Sequence, residues 1–253
     1  MLKNKVVFVT GAASGIGLAV AEMFVEEKAK VLMVDINEEA LKEHSERLNT
    51  EFYVADLSKQ ENNKKAIEYA AEKYGSVDIL VNVAGIQTVA PIKDFPEDKW
   101  RFMMDLMLTS PMLLTKYAWP YMESNNWGRI INLNSIHGLV ASPYKSAYVT
   151  AKHGLSGLTK TAALEGGEYG ITVNSISPSY VRTPLVDKQI ADQAKSHGIS
   201  EEDVISEIML EKAAIKELLE PEQVASFVKF LCSDAASSIT GSVLSMDGGW
   251  TAG

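Results

Sequence analysis

Short runs rich in Val, Ile and Leu recur along the chain at residues 6–10, 30–35, 52–55, 77–83, 129–135 and 172–177. Between them lie longer stretches, 16–27, 38–48, 59–74, 98–122 and 146–168, with apolar residues at helical spacing and few breakers. Strands buried on both faces lose the apolar-polar alternation of a half-exposed sheet, and parallel strands need a long crossover, usually a helix. The alternation therefore predicts an α/β fold, a doubly wound parallel sheet of the Rossmann type with right-handed crossovers. Ligands of such sheets bind outside the carboxyl ends of the strands. With 253 residues and no repeat or linker that divides it, the chain reads as one domain, 1–253. Residues 184–219 are polar, charged and helical in pattern between two core elements. They are expected to cover the site as a lid; a solvated surface insertion is the alternative.

The first strand runs into Gly11-Ala12-Ala13-Ser14-Gly15-Ile16-Gly17. Glycines at such a turn let the backbone approach a pyrophosphate and set it at a helix N-terminus. Gly11, Ser14, Gly15, Ile16 and Gly17 are thus candidates to bind a dinucleotide. Asp35 closes the second strand near the spacing at which a carboxylate accepts hydrogen bonds from adenosine ribose hydroxyls. Its charge opposes a 2′-phosphate, and neither Ile36 nor Asn37 offers a compensating cation, so the expected cofactor is NAD. Asp35 as a simple helix cap is the competing reading. Asp56 and Leu57 follow the third strand and are candidates for the adenine amino group, unless Asp56 caps the next helix.

Charge and cysteine narrow the partners. Acidic residues outnumber basic ones 33 to 24, a formal net charge of -9 that opposes nucleic acid and anionic membrane surfaces. An anionic substrate must be captured by local groups. The one cysteine, Cys232, allows no intrachain disulfide and no paired thiolate site for a metal, which fits a reducing cytoplasm. Lys3 and Lys5 precede an apolar run that breaks at Thr10-Gly11, too short for a signal peptide, and no run approaches a membrane span.

Tyr148 and Lys152 stand four apart in a helical stretch, so they share a face. Tyr69 and Lys73 repeat that spacing where nothing else points to chemistry. The difference is Ser135, upstream of Tyr148 at the end of the fifth strand; the equivalent position before Tyr69 is Asp56. A phenol titrates near ~10 and is a poor base at neutral pH. An ammonium about 4 Å away contributes on the order of 4 kcal/mol at an effective dielectric of ~20, enough to bring a phenol toward neutrality. Lys152 is therefore expected to lower Tyr148, which takes an alcohol proton while Ser135 holds the substrate oxygen.

With these residues the chain resembles the short-chain dehydrogenase/reductase family over its whole length. The glycine turn, Asn82-Val83-Ala84-Gly85, Ser135, Tyr148-Val149-Thr150-Ala151-Lys152 and Pro178-Ser179-Tyr180-Val181-Arg182-Thr183 carry the resemblance. It implies that Asn82, Ala84, Gly85, Tyr148, Lys152, Pro178, Val181 and Thr183 join the cofactor site and that the protein forms a homotetramer, with residues 239–249 as a shared contact. Two positions depart from the family pattern: Val83 replaces an asparagine, and Met107 stands where the family has a catalytic-helix asparagine. That asparagine helps hold a water relaying protons to the lysine, largely through a backbone carbonyl. Met107 keeps a carbonyl, and Pro111, lacking an N–H, cannot bond it, so a kinked helix with that carbonyl free is expected.

Around Gly85-Ile86-Gln87, His137, Lys145 and Thr183-Pro184-Leu185 through Gln189, the chain is similar to bacterial D-3-hydroxybutyrate dehydrogenases within that family. Ser135 and His137 are two apart on an extended segment and project to one side. Gln87, His137, Lys145 and Gln189 are then expected to bind the carboxylate of a small hydroxy or keto acid, (R)-3-hydroxybutyrate, with Trp250 and Tyr180 walling its methyl end. A solvated Lys145 and a structural His137 are the plainer readings. A reductase of 3-oxoacyl thioesters or of other keto or polyol substrates is the alternative enzyme, and a catalytically silent dinucleotide-binding sensor the alternative of another class.

Overall fold

In β1 (Val6–Thr10) every residue is buried: Val7 and Val9 enter a cluster on one face of the sheet and Phe8 a cluster on the other. Alternate residues of a strand point to opposite faces, so an unbroken apolar run fits only a sheet covered on both sides. The computed structural model describes residues 2–253, the side chain of Leu185 excepted. Its strands continue as β2 (Lys30–Asp35), β3 (Glu51–Val54), β4 (Ile79–Asn82), β5 (Gly128–Leu133), β6 (Ile171–Pro178) and β7 (Val243–Met246). They form one parallel sheet in the order β3-β2-β1-β4-β5-β6-β7. The order reverses between β1 and β4, which opens a crevice at their carboxyl ends.

Helices α1 (Gly15–Glu26) and α9 (Pro221–Leu231) cover one face through Val20, Phe24, Val224 and Val228. On the other face lie α3 (Gln60–Tyr74), α5 (Ser110–Ser124) and α6 (Ser146–Gly166), packed through Ile67, Leu114 and Ala162. Helix α2 (Glu38–Leu48) closes the β2–β3 crossover. Among the described residues no helix is long and apolar enough to cross a membrane.

The single helix expected over 98–122 is divided. Helix α4 (Glu97–Met104) passes into a π-helical turn, Asp105–Thr109, before α5 begins. Within the turn the Ser110 N–H reaches back to the Asp105 carbonyl, an i→i+5 bond. The physical cause is Pro111, which has no N–H for the Met107 carbonyl and whose ring would clash with it in a regular helix.

The region 239–249, expected as a subunit contact, supplies β7, the outermost strand, registered on β6 from Ser175↔Val243 to Pro178↔Met246. Four residues flanked by glycines carry too little periodicity to announce a strand. Residues 184–219 form α7 (Pro184–His197), α8 (Glu201–Asp203) and a π-helical stretch, Val204–Met209. They have their own small core of Ile190, Val204, Met209, Leu210 and Ala213. The segment leaves and re-enters the fold through one clasp: Arg182 N–H donates to the Leu219 carbonyl at 2.7 Å and Leu219 N–H to the Tyr180 carbonyl at 3.0 Å.

Candidate active site

A cleft of about 480 Å³ opens along the carboxyl ends of the central strands. At one end it is lined by Gly11, Ser14, Gly15, Ile16, Asp35, Asp56, Leu57, Ala84 and Gly85. Gly11 adopts φ 64°, and a Cβ there would meet the Ala84 backbone nitrogen at 3.0 Å. Gly17 stands behind the turn, where a Cβ would lie 2.0 Å from the Gly11 carbonyl oxygen, so only glycine lets α1 start so close to β1. Ser14 makes no side-chain cap and the first turn of α1 holds no acidic residue, leaving the helix's first N–H groups open to an anion in the cleft.

Asp35 Oδ2 accepts from the Ala13 N–H at 3.2 Å and Oδ1 from the Asn37 N–H at 3.0 Å. The cap of α2 is Asn37, whose side chain accepts from Ala40 N–H, so Asp35 is not the helix cap that competed for it. The N-cap of α3 is Lys59, so Asp56 is not the cap of that helix. Asp56 faces the cleft, and its Oδ1 accepts from the Ser58 N–H and hydroxyl at 3.0 and 2.6 Å. Among the described residues, the lysines that line the cleft are Lys145 and Lys152, and no arginine lines it. These residues fit a dinucleotide: a glycine turn for the pyrophosphate and a carboxylate at the end of β2 for a ribose.

At the centre of the cleft Ser135, Tyr148 and Lys152 come together. Ser135 follows β5, and its backbone N–H donates to Asn134 Oδ1 at 3.0 Å; Asn134 Nδ2 in turn donates to Ser156 Oγ on α6 at 2.8 Å. That bridge sets the serine against the helix that carries Tyr148 and Lys152. Lys152 is 4% exposed, and its Nζ donates to the Leu133 carbonyl at 2.6 Å and lies 5.5 Å from the centroid of the Tyr148 ring. Burial lowers Lys152 to about 8. Burial also raises Tyr148, a hydrogen bond from Ser135 drawing it back and Tyr180 adding to the rise. The phenol expected to be lowered is therefore raised by the protein's own groups. Desolvation of a phenolate outweighs what the Ser135 hydrogen bond returns.

Gln87, His137, Lys145 and Gln189 line the far end of the same cleft, with Tyr180, Thr183, Pro184 and Val186. The first turns of the 184–219 segment thus wall the cleft. Gln87 Oε1 is buried with no hydrogen-bond partner. Burial holds His137 near 4, helped by the positive fields of Lys145 and His153, and burial also lowers Lys145.

Some expected residues stand off the cleft. Asn82 is buried in the sheet, its Nδ2 donating to Asn132 Oδ1 at 2.8 Å. Pro178 and Val181 are buried behind Ser179 and Tyr180, which take the wall positions. Met107 sits in the π turn with its side chain buried against Met103, Ala147 and Ala151. Trp250 does not line the cleft. It packs on the small core of the 184–219 segment, with Lys212 Nζ 5.0 Å from its ring centroid. Asn134 and Ser156 went unforeseen in the sequence, because their pairing spans two elements and leaves no spacing to read.

The chain matches, over residues 11–251, the family described as enoyl-(acyl carrier protein) reductase. It is 45% identical over 259 residues to the D-beta-hydroxybutyrate dehydrogenase of Rhizobium meliloti (strain 1021), covering 98% of this chain and 99% of that one. To the D-beta-hydroxybutyrate dehydrogenase of Cupriavidus necator it is 41% identical over 257 residues, 100% of each chain. It is also 34% identical over 253 residues, 98% of each chain, to a 3-oxoacyl-(acyl-carrier-protein) reductase of Thermotoga maritima. The chain belongs to the short-chain dehydrogenase/reductase family.

Proposed function

We propose that the protein is an NAD-dependent dehydrogenase that oxidises (R)-3-hydroxybutyrate to acetoacetate, reversibly. One observation carries the reading: a single cleft joins the glycine turn and Asp35 to an acid-binding end of Gln87, His137, Lys145 and Gln189, with Ser135, Tyr148 and Lys152 between them. Gly11, Ser14, Gly15, Ile16, Asp35, Ala84 and Thr183 would hold the dinucleotide. When bound in its oxidised form, it supplies the hydride acceptor and a positive charge beside Tyr148.

The protein's own groups do the rest. Tyr148 Oη takes the proton of the substrate hydroxyl as the C–H bond at carbon 3 breaks and its electron pair leaves as hydride. Lys152, still charged at neutral pH at about 8, stabilises the phenolate that burial disfavours. Ser135 donates to the substrate oxygen. The Met107 carbonyl, without an N–H from Pro111, is the acceptor we assign to a water relaying protons to Lys152; a crystal structure with an ordered water bonded to both is expected.

Lys145 supplies the charge for the carboxylate. The Gln87 side chain, whose Oε1 is buried with no hydrogen-bond partner, carries an amide NH2 that can donate to the carboxylate. Neutral thioesters of long acids gain nothing from such an end, which disfavours the 3-oxoacyl reading. The wider reading includes a cytoplasmic homotetramer; a monomer in sedimentation velocity would remove the assembly.

The test is NADH formation with (R)- and (S)-3-hydroxybutyrate, beside NADP and a longer 3-hydroxy acid. Turnover is expected with the (R) acid and NAD. Preference for NADPH and a 3-oxoacyl thioester would replace this reading with the reductase, and no turnover across the panel would leave a dinucleotide sensor.

A further inference from the structure

Ser135 stands between the end of β5 and the short turn Ile136–Gly138, and the residue before it reaches both ends of that turn. Asn134 is 4% exposed. Its Oδ1 accepts the Ser135 N–H at 3.0 Å and its Nδ2 donates to Ser156 Oγ at 2.8 Å. A main-chain N–H can only donate, so the Ser135 bond fixes which end of the amide is oxygen. Ser156 Oγ lies 3.2 Å from the Gly138 carbonyl, which closes the turn, and 3.2 Å from the Lys152 carbonyl. One buried amide thus joins the N–H that opens the turn to a hydroxyl beside the carbonyl that ends it.

Packing completes the lock. A Cβ added at Gly138 would stand 2.2 Å from Asn134 Oδ1 and 2.6 Å from its Cγ and Nδ2, so the three nearest atoms all belong to that amide. Gly138 does not take a positive φ, and its backbone suits alanine; the amide is what excludes a side chain. The end of β5 also meets α6 twice in succession. Lys152 Nζ donates to the Leu133 carbonyl, and Ser156, one turn later, receives from Asn134. The main chain on either side of Ser135 is therefore fixed relative to Tyr148 and Lys152, independently of the bonds its own hydroxyl makes.

We propose that Asn134 is a positioning residue: its amide, locked between Ser156 and Gly138, fixes the approach of the Ser135 hydroxyl to Tyr148 and to the substrate oxygen. A reacting group displaced by about 1 Å can cost 10²-fold in rate, so a rigid seat for the serine matters more than the strength of any one bond in it. His137 keeps its place with Gln87, Lys145 and Gln189 at the acid-binding end. The catalytic part rests on the function proposed above; the lock between Asn134 and Gly138 does not.

A double-mutant cycle tests this. Asn134→Ala should lose kcat for (R)-3-hydroxybutyrate on the order of tenfold at neutral pH, with KM for NAD within about twofold. The acidic limb of its kcat profile should move to higher pH by roughly half to one unit, because the Ser135 hydrogen bond draws Tyr148 down. Ser156→Ala, which leaves the Ser135 bond and frees the other end of the amide, should show the same shift at smaller size, and it carries the test if Asn134→Ala does not fold. A loss of kcat without the shift, or no loss, overturns the positioning role. Gly138→Ala should lose about 10²-fold in kcat or fail to fold, its methyl group falling on the amide. Combined with Asn134→Ala it should fold and stay within about threefold of Asn134→Ala alone. Losses in kcat and Tm that simply add in the double variant overturn the lock. A wild type inactive on the whole substrate panel removes the catalytic role together with the proposed function, and the melting temperatures still decide the lock.

Discussion

Two helices of this protein carry a tyrosine and a lysine four residues apart, and they share nothing beyond that spacing. On α3, Lys73 Nζ pairs with Glu51 at 2.9 Å and Tyr69 donates to the same carboxylate at 3.4 Å, its ring 5.0 Å from that of Tyr53. Glu51 raises Lys73, which stays at the surface. On α6, Lys152 is buried, meets a carbonyl rather than a carboxylate, and falls to about 8. The spacing puts two side chains on one face; what stands opposite decides whether they form a solvated ion pair or a proton-transfer site. Replacing Tyr148 by phenylalanine should therefore lower kcat for 3-hydroxybutyrate by roughly 10²–10⁴, while Tyr69→Phe leaves it within twofold. Equal losses in steady-state assays of the two variants would erase the distinction.

The contrast extends to acid stability. His137, beside Tyr148 with ring centroids 5.9 Å apart, titrates near 4 in the fold and near 6.5 when unfolded. Between those values the unfolded chain binds a proton that the native state refuses, so stability falls as pH drops from 6.5 toward 4 and the loss saturates below that. The full difference is about 3 kcal/mol, of which about 2 kcal/mol develops between pH 7 and 4.5. Urea unfolding at both pH values should show that the wild-type protein loses this much more than His137→Gln. Parallel losses would mean the histidine is protonated in place. Lys152 has the same sign in a different window: its cost is full below about 8 and is relieved as pH rises from there to 10.5.

Carboxylates give a smaller contrast. Asp35 offers its oxygens to backbone N–H groups at the mouth of the cleft, whereas Asp56 spends one oxygen on Ser58. Asp35→Ala should raise KM for NAD by about tenfold or more, the scale of hydrogen bonds to a charged group, and narrow the preference over NADP. Asp56→Asn should change it by a few-fold at most. A larger effect at Asp56 would place the adenosine differently from the reading above.

These pairs also mark what the sequence makes legible. The strands, the glycine turn, Asp35 and the meeting of Ser135 with Tyr148 and Lys152 follow from local patterns, because strand ends and helix faces fix where such residues point. The sign of the Tyr148 shift did not, since it is a sum of burial and charge that only packing sets. The π turn at Asp105–Thr109 was half visible: Pro111 announced an irregularity but not its form. Trp250 was placed beside the substrate from its position in the sequence, yet it anchors the core of the 184–219 segment, a contact between distant parts of the chain. The strand β7 and the Asn134–Ser156 bridge are long-range pairings of the same kind.

The smallest expected effect is the most direct control on the comparison. Lys73→Met removes the α3 ammonium and leaves the helix, Tyr69 and Glu51 in place. An exposed pair holds two mobile side chains against water and salt, and such pairs contribute little. Activity should be unchanged and Tm should stay within about 2 °C at neutral pH and moderate salt. Whatever difference appears has a defined pH sense. Because Glu51 raises Lys73, the wild-type advantage is full at pH below its ordinary 10.5 and fades as pH climbs through the raised value. Lys152 behaves oppositely, its cost easing over the alkaline range. Thermal melts of both proteins in low and high salt between pH 8 and 11 follow the first trend. A lasting, salt-insensitive loss in Lys73→Met would mean that the α3 pair is buried in function if not in geometry, and that surroundings alone do not separate the two helices.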